Sequence, residues 1–419
     1  MTEFDQPTPA AGDTLIDQVA EWLIMSALNG TDVETLFSGC CERLHAADIP
    51  LMRGSIGFNT LHPLFSGVTL RWRPNSDLER ESFRHGELFN DDGWERSPLA
   101  ALLKGNAGFF RRRLNNDKTV SDYPLLQEFQ DEGATDYYMI ATPFSDAKIP
   151  DYEKDGMMAS WLTDHPQGFS DWEIDALTRI QKRLAVACKV TIKEQVAQNV
   201  LDAYLGRSAG ERVLNGQIRL GDGEEINAVI WFSDLRGSTP LAEASTKPEF
   251  LLTLNDYFEV TASAVIANGG EVLRFIGDAV LAIFPIDDSV TAEAAAKAAV
   301  AALYQVDKRL ITVNERRQNK GKPDIAFGAG LHVGEVLYGN IGVPERVEFS
   351  VIGAAANEAA RIESLTKPLD CHALASKAFV ELAPEGWKSV GHHALRGVGD
   401  EIEIFALSEG QATQQTAGA

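Results

Sequence analysis

Two apolar periods alternate along the chain, and the places where one replaces the other mark its organisation. After a polar lead over residues 1–13, expected to be disordered, Leu15, Val19, Trp22, Leu23 and Leu28 recur near helical spacing, and so do Val33, Leu36, Phe37, Cys40 and Leu44. Both runs predict amphipathic helices. From Gly54 to Trp72 the pattern turns strand-like (GSIGFNTL, GVTLRW). TDYYMIATPF and GMMASWL read as two further strands that can pair. Ser170 is a strong N-cap for a helix carrying Ile174, Leu177, Ile180 and Leu184 inward. Val196, Val200, Tyr204 and Leu205 prolong its apolar stripe. The spacing predicts a helical linker over residues 191–225, suited to a parallel coiled coil, with Gly216 and GDGEE closing it.

Beyond residue 226 the elements alternate. The strand AVIWF leads to Asp234, and a helix is expected over about residues 240–267. Val272–Ile276 and Val280–Phe284 flank Gly277-Asp278, which reads as the tight turn of a hairpin. A long Ala-rich helix follows over about residues 291–318. The strand IAFGAGLHVG, a hairpin of GEVLYGNIG and RVEFSVIG, the helix AANEAARIESL and two late strands complete the unit. Strand, helix, hairpin, helix and strand in that order predict a ferredoxin-like split βαβ. The expected fold is thus α/β in both halves. A disordered tail is expected over residues 408–419.

This arrangement carries chemistry. A carboxylate at a strand end (Asp234) and another at a hairpin tip (Asp278) meet if the strands are neighbours. They then repel unless a cation lies between them. Oxygen-only donors select a hard ion, Mg2+ or Mn2+. The turn Leu235, Arg236, Gly237, Ser238, Thr239 enters a helix and is expected to present backbone N–H groups to phosphate.

Composition narrows the choice. At 419 residues, two or three domains are expected. A net charge of −23 opposes a nucleic-acid or anionic-membrane surface. Four cysteines without CxxC spacing and eight histidines without zinc spacing suggest a reducing cytoplasm and no zinc site. No apolar run reaches the roughly 20 residues needed to span a bilayer, and the acidic N-terminus lacks a signal-peptide pattern. Arg111-Arg112-Arg113 reads as a solvated basic surface in preference to a grip on an anion.

Residues 226–407 resemble the catalytic domain of a class III nucleotidyl cyclase, through FSDLRGST, GGEVLRFIGDAVLAIF, GLHVGEVLYGNIG and FSVIGAAANEAARIESL in order. The resemblance implies two Mg2+ or Mn2+ ions held by Asp234 and Asp278. It also implies a transition-state pair, Asn357 and Arg361, which i,i+4 spacing puts on one helix face. Arg396 stands where some members use a triphosphate-binding Lys. The family works as a dimer that shares each site between subunits, so a homodimer with two equivalent sites is implied. No residue stands out as general base.

Base choice in the family falls to two positions, here Arg274 and Ser350. Arg is a donor only, which suits N1 of adenine, and Ser accepts from the adenine amino group. The expectation is an adenylate cyclase acting on ATP. The alternatives are a guanylate cyclase or a catalytically silent nucleotide-binding regulator. Residues 14–190 resemble a GAF-type sensor domain, which implies a small-molecule or protein signal whose identity is not readable.

Overall fold

The computed structural model describes residues 11–86, 96–104, 108–115, 122–144, 156–395 and 401–408. The chain divides into two compact units, Met1–Ala203 and Tyr204–Ala419.

In the N-terminal unit, α1 (Ala11–Leu28) and α2 (Val33–Ala46) precede β1 (Arg53–Asn59), β2 (Phe65–Trp72) and β3 (Glu79–Arg84). Then come α3 (Pro98–Lys104), β4 (Phe109–Arg113), α4 (Pro124–Asp131), β5 (Asp136–Pro143), β6 (Gly156–Thr163) and α5 (Asp171–Leu205). The strands form one antiparallel sheet in the order β3-β2-β1-β6-β5-β4. Side chains alternate across it. Tyr138, Ile140 and Trp161 join the core built by α1, α2 and α5, whereas Tyr137, Met139 and Leu162 join Leu102 and Phe129 on the other face. The start of α1 takes in residues 11–13, which sequence assigns to the lead. Its buried side is Ile16, Val19, Leu23 and Ala27, leaving Leu15 and Leu28 exposed. The basic run on β4 corrects the expectation of a solvated surface. Arg111 donates to the fully buried Asp136 at 2.8 Å, Arg113 pairs with the same carboxylate, and Asp136 also accepts from the Phe169 N–H. A buried carboxylate needs such partners.

Helix α5 starts at the expected cap, where Ser170 and Glu173 form a reciprocal capping box. It stops at Leu205. Gly206 takes φ 84°, and a separate helix α6 (Arg207–Leu214) follows. The expected unbroken helix through residue 214 is therefore cut by a glycine in the left-handed region.

The C-terminal unit continues with β7 (Gly223–Leu235), α7 (Ser238–Ala244), α8 (Lys247–Ala267), β8 (Glu271–Ile276), β9 (Ala279–Ile286) and α9 (Ala292–Gln318). After these lie β10 (Phe327–Val343), β11 (Arg346–Ile352), α10 (Ala354–Ser364), β12 (Ala373–Ser376), α11 (Lys377–Val380), β13 (Trp387–His393) and β14 (Ile402–Leu407). The sheet order is β13-β14-β12-β10-β7-β9-β8, with β11 on the far half of β10. Within it, β10-β7-β9-β8 is antiparallel throughout, the ferredoxin-like arrangement expected from sequence. The helix expected over residues 240–267 is two helices. Thr246 caps α8 in a capping box with Glu249 and so starts it afresh. The three short strands read between residues 325 and 352 are two, because β10 runs unbroken for 17 residues.

Alternation on β7 sorts the faces. Val229, Trp231 and Leu235 pack under α8 and α9, with Ala296 and Ala299 of α9 allowing close approach. Ala228 and Ile230 point to the opposite face, with Ala355 and Ala359 of α10. By the same period, Asp234 belongs to the α10 face.

Candidate active site

Asp234 pairs with Ala279 of β9 and Gly328 of β10, so it sits on the central strand with neighbours on both sides. Gly277 takes φ 65° in the two-residue turn between β8 and β9, and Asp278 follows it. The Leu235 N–H donates to the Asp278 carbonyl at 3.2 Å, which pins this turn against the end of β7. The two aspartates predicted to meet do so. Burial raises the Asp234 carboxyl above the ordinary aspartate range, the Asp278 charge adds to the rise, and Lys367 opposes it. Asp234 Oδ1 is buried with no hydrogen-bond partner among the described residues, and Oδ2 lies 3.6 Å from Lys367 Nζ. An orphaned carboxylate oxygen beside a second carboxylate is a donor set that fits a hard divalent ion. Among the described residues no group of three or more His, Cys, Asp or Glu side chains converges on one metal position.

A third carboxyl stands close by, and sequence reasoning passed over it. Glu363 is on α10, buried with Ala355, Ala359 and Ile362. Burial, then the Asp234 charge, push it up to about 7. Its signal was present in the sequence, since a Glu occupies an apolar-face position of an otherwise alanine-rich helix. Gly328 and Gly330 of β10 let this helix lie close. A Cβ at Gly328 would fall 2.7 Å from Glu363 Oε1, and one at Gly330 would fall 2.3 Å from the Ala359 carbonyl oxygen.

The expected phosphate turn is partly turned inward. Besides the Leu235 bond to Asp278, the Arg236 N–H donates to the Ala326 carbonyl at 2.8 Å, and the Arg236 guanidinium donates to the Cys371 carbonyl. Leu235 and Arg236 thus use these donors inside the fold, which corrects their reading as phosphate contacts. Gly237, in the left-handed conformation at φ 66°, and Thr239 are exposed, and Ser238 is half-buried. Arg396 lies outside the described residues.

Asn357 is exposed and Arg361 half-buried. They share one side of α10, roughly opposite the side that buries Ala355, Ala359 and Ile362 and holds Glu363 near Asp234. Neither side chain has a partner among the described residues. One chain therefore does not bring Asn357 and Arg361 onto its own Asp234.

Arg274 on β8 pairs with Glu348 on β11 at 2.6 Å, and its Nε is buried without a partner. Ser350, two residues along β11 from Glu348, shares that strand face and is buried. A third residue, Glu348, thus pairs with one of the two positions expected to read the base and shares the strand face of the other. The two-residue strand period could have flagged it.

Residues 223–407 match the family described as the adenylate and guanylate cyclase catalytic domain. The chain is 37% identical over 201 residues to an adenylate cyclase of Anabaena cylindrica, covering 45% of this chain and 38% of that protein. It is 28% identical over 236 residues to adenylate cyclase 1 of Rhizobium meliloti strain 1021, covering 55% of this chain and 33% of the relative. The chain thus spans between a third and two fifths of the length of these relatives. Among solved structures, the guanylyl cyclase Cya2 is similar at 29% identity and TM-score 0.41, over 46% of this chain and 97% of that one. The adenylyl cyclase CyaB from P. aeruginosa is similar at 24% identity and TM-score 0.41, over 45% and 97%.

Proposed function

We propose that the chain, whose residues 223–407 match the adenylate and guanylate cyclase catalytic domain, converts ATP to 3′,5′-cyclic AMP and pyrophosphate. The observation that carries the reading is the pairing of Asp234 with Asp278 beside an orphaned carboxylate oxygen. Asp234 and Asp278 would hold the divalent ions, which when bound would lower the pKa of the ribose 3′-hydroxyl and neutralise the triphosphate. The 3′-hydroxyl gives its proton to solvent and its oxygen bonds to the α-phosphorus as the bond to the β-phosphate oxygen breaks, so pyrophosphate leaves. Arg361 donates to the charge that develops on the α-phosphate. Asn357 orients the ribose, and positioning of this kind supplies up to about 7–11 kcal/mol. Gly237, Ser238 and Thr239 face the phosphates.

Because Asn357 and Arg361 point away from their own Asp234, the working unit is a homodimer in which each site takes its aspartates from one subunit and its Asn–Arg pair from the other. The N-terminal unit acts as the GAF-like sensor that regulates this dimer. No helix among the described residues is long and apolar enough to cross a membrane, and a cytoplasmic enzyme supplied with ATP is the corresponding reading.

Arg274 donates to N1 of adenine, and Ser350 accepts from its amino group. One observation favours a second reading. Glu348, held by Arg274, is an acceptor that also suits the N1–H and amino group of guanine. Purified chain incubated with Mn2+ and either ATP or GTP decides between them by chromatography of the products. Cyclic AMP in excess is the expected result. Preferred cyclic GMP establishes the guanine reading, and no cyclic product from either nucleotide leaves a nucleotide-binding regulator.

A further inference from the structure

We propose that Lys367 is a built-in counter-ion of Asp234 that competes with divalent metal for the same carboxylate and so sets the metal affinity of the site. The inference rests on the reading of Asp234 and Asp278 as metal ligands. Its starting point is a charge imbalance. Asp234 pairs with Gly328, whose Cβ position lies 2.7 Å from Glu363 Oε1, and the Asp278 turn is pinned to the same end of β7, so carboxyl groups gather at one end of the sheet. Among the described residues, two cations lie near them. Arg236 faces Glu363, but its guanidinium is tied to the Cys371 carbonyl. Lys367 touches Asp234 Oδ2 at 3.6 Å while its side chain stays 55% exposed.

The two cations are therefore unequal. Arg236 is fixed by backbone on both sides, through its own N–H and through its side chain. Lys367 lies in the turn after α10, on a flexible four-carbon stem with a compact, well-hydrated head. It can swing into water at small cost, because a half-exposed pair of this kind is weak. An ammonium 3.6 Å from Asp234 Oδ2 and a divalent ion on the orphaned Oδ1 lie on one carboxylate and repel each other. Metal binding therefore displaces the Lys367 ammonium or works against its charge, and either weakens the measured affinity.

Titration of the full-length chain with Mn2+ alone, without nucleotide and at fixed ionic strength, tests this through the electron-paramagnetic-resonance signal of free Mn2+. Lys367→Met is expected to bind Mn2+ about two- to fivefold more tightly than the native chain. Lys367→Arg, which keeps the charge, is expected to stay near the native affinity. Lys388→Met removes one charge from an exposed position of β13 in the same unit, and is expected to leave the affinity unchanged. Equal tightening by Lys367→Met and Lys388→Met would reduce the effect to net charge and overturn the proposal. Weaker binding by Lys367→Met would overturn it as well, because the lysine would then be helping to hold the ion. An Asp234→Asn arm separates this proposal from the reading beneath it. Lost binding in that variant with no Lys367 effect sinks the counter-ion alone, whereas full binding in Asp234→Asn sinks the metal site and the counter-ion together.

Discussion

Glu363 shows how much one residue's surroundings decide. In sequence it is one of many glutamates on a helix. In the fold it is buried against Gly328, 3.4 Å from the Thr366 hydroxyl, within the field of Asp234. A carboxyl raised to about 7 binds a proton in the native state that the unfolded chain has already lost. Its contribution to stability is complete below the ordinary glutamate range and disappears as the pH rises through about 7. In EDTA, the thermal midpoint of the full chain should fall between pH 5 and pH 8. Glu363→Gln should flatten that fall and be the more stable protein at pH 8, by roughly 1–3 kcal/mol. A parallel pH dependence in both proteins would refute the assignment. Arg361 is the opposite case, a side chain with no partner among the described residues. Arg361→Ala is expected to keep the native unfolding midpoint while losing about 10²–10³ in kcat, the usual cost of one donor to transition-state charge. At the base site, Arg274→Glu combined with Ser350→Cys is expected to move preference from ATP toward GTP, read as the ratio of kcat/KM values. An unchanged ratio would remove these two residues from base recognition.

At the scale of elements, the site depends on how closely α10 approaches β10. Gly328, Gly330 and Gly334 alternate along β10 toward the helix, so the strand offers backbone instead of side chains there. A Cβ at Gly330 would meet the Ala359 carbonyl oxygen at 2.3 Å and the Glu363 nitrogen at 2.4 Å, both backbone atoms that cannot rotate away. Gly330→Ala should therefore push the helix off the sheet, destabilise the chain by about 1–3 kcal/mol and lower activity. Chemical unfolding with an activity assay below the transition checks both. The glycine spacing is visible in GAGLHVG, but its meaning waits for the helix that lies on it. The elements misread from sequence fail for local reasons. Thr246 caps a new helix where the apolar pattern runs on, Gly206 turns left-handed inside an apparently continuous helix, and β10 passes through glycines that look like turns.

At the scale of the whole molecule, the aspartates and the Asn–Arg pair sit on surfaces of one catalytic unit that do not face each other. Either pair is incomplete alone, which is the basis for a shared-site homodimer. Asp234→Ala and Arg361→Ala proteins are each expected to be inactive. Mixed and allowed to exchange subunits, they should regain up to about a quarter of native activity, because a random hybrid holds one intact site of two. Absence of recovery after demonstrated subunit exchange would place both halves of a site in one chain.

The sequence by itself determined the alternation of strands and helices in the C-terminal unit, the turn that carries Asp278 and the placement of Asn357 and Arg361 on one helix face. All of these follow from strand and helix periods and from a two-residue turn, which are local properties of the chain. The meeting of Asp234 with Asp278 needed β7 and β9 to be neighbours, which the tertiary structure decided. Only the tertiary structure decided that Leu235 and Arg236 turn inward, that Arg111 and Arg113 brace a buried aspartate, and that Glu348, Glu363 and Lys367 belong to the site. Those outcomes depend on which charged group lies against which across long sequence separations. The energy of a charge is set by its burial and its neighbours, and neither exists until the chain has folded.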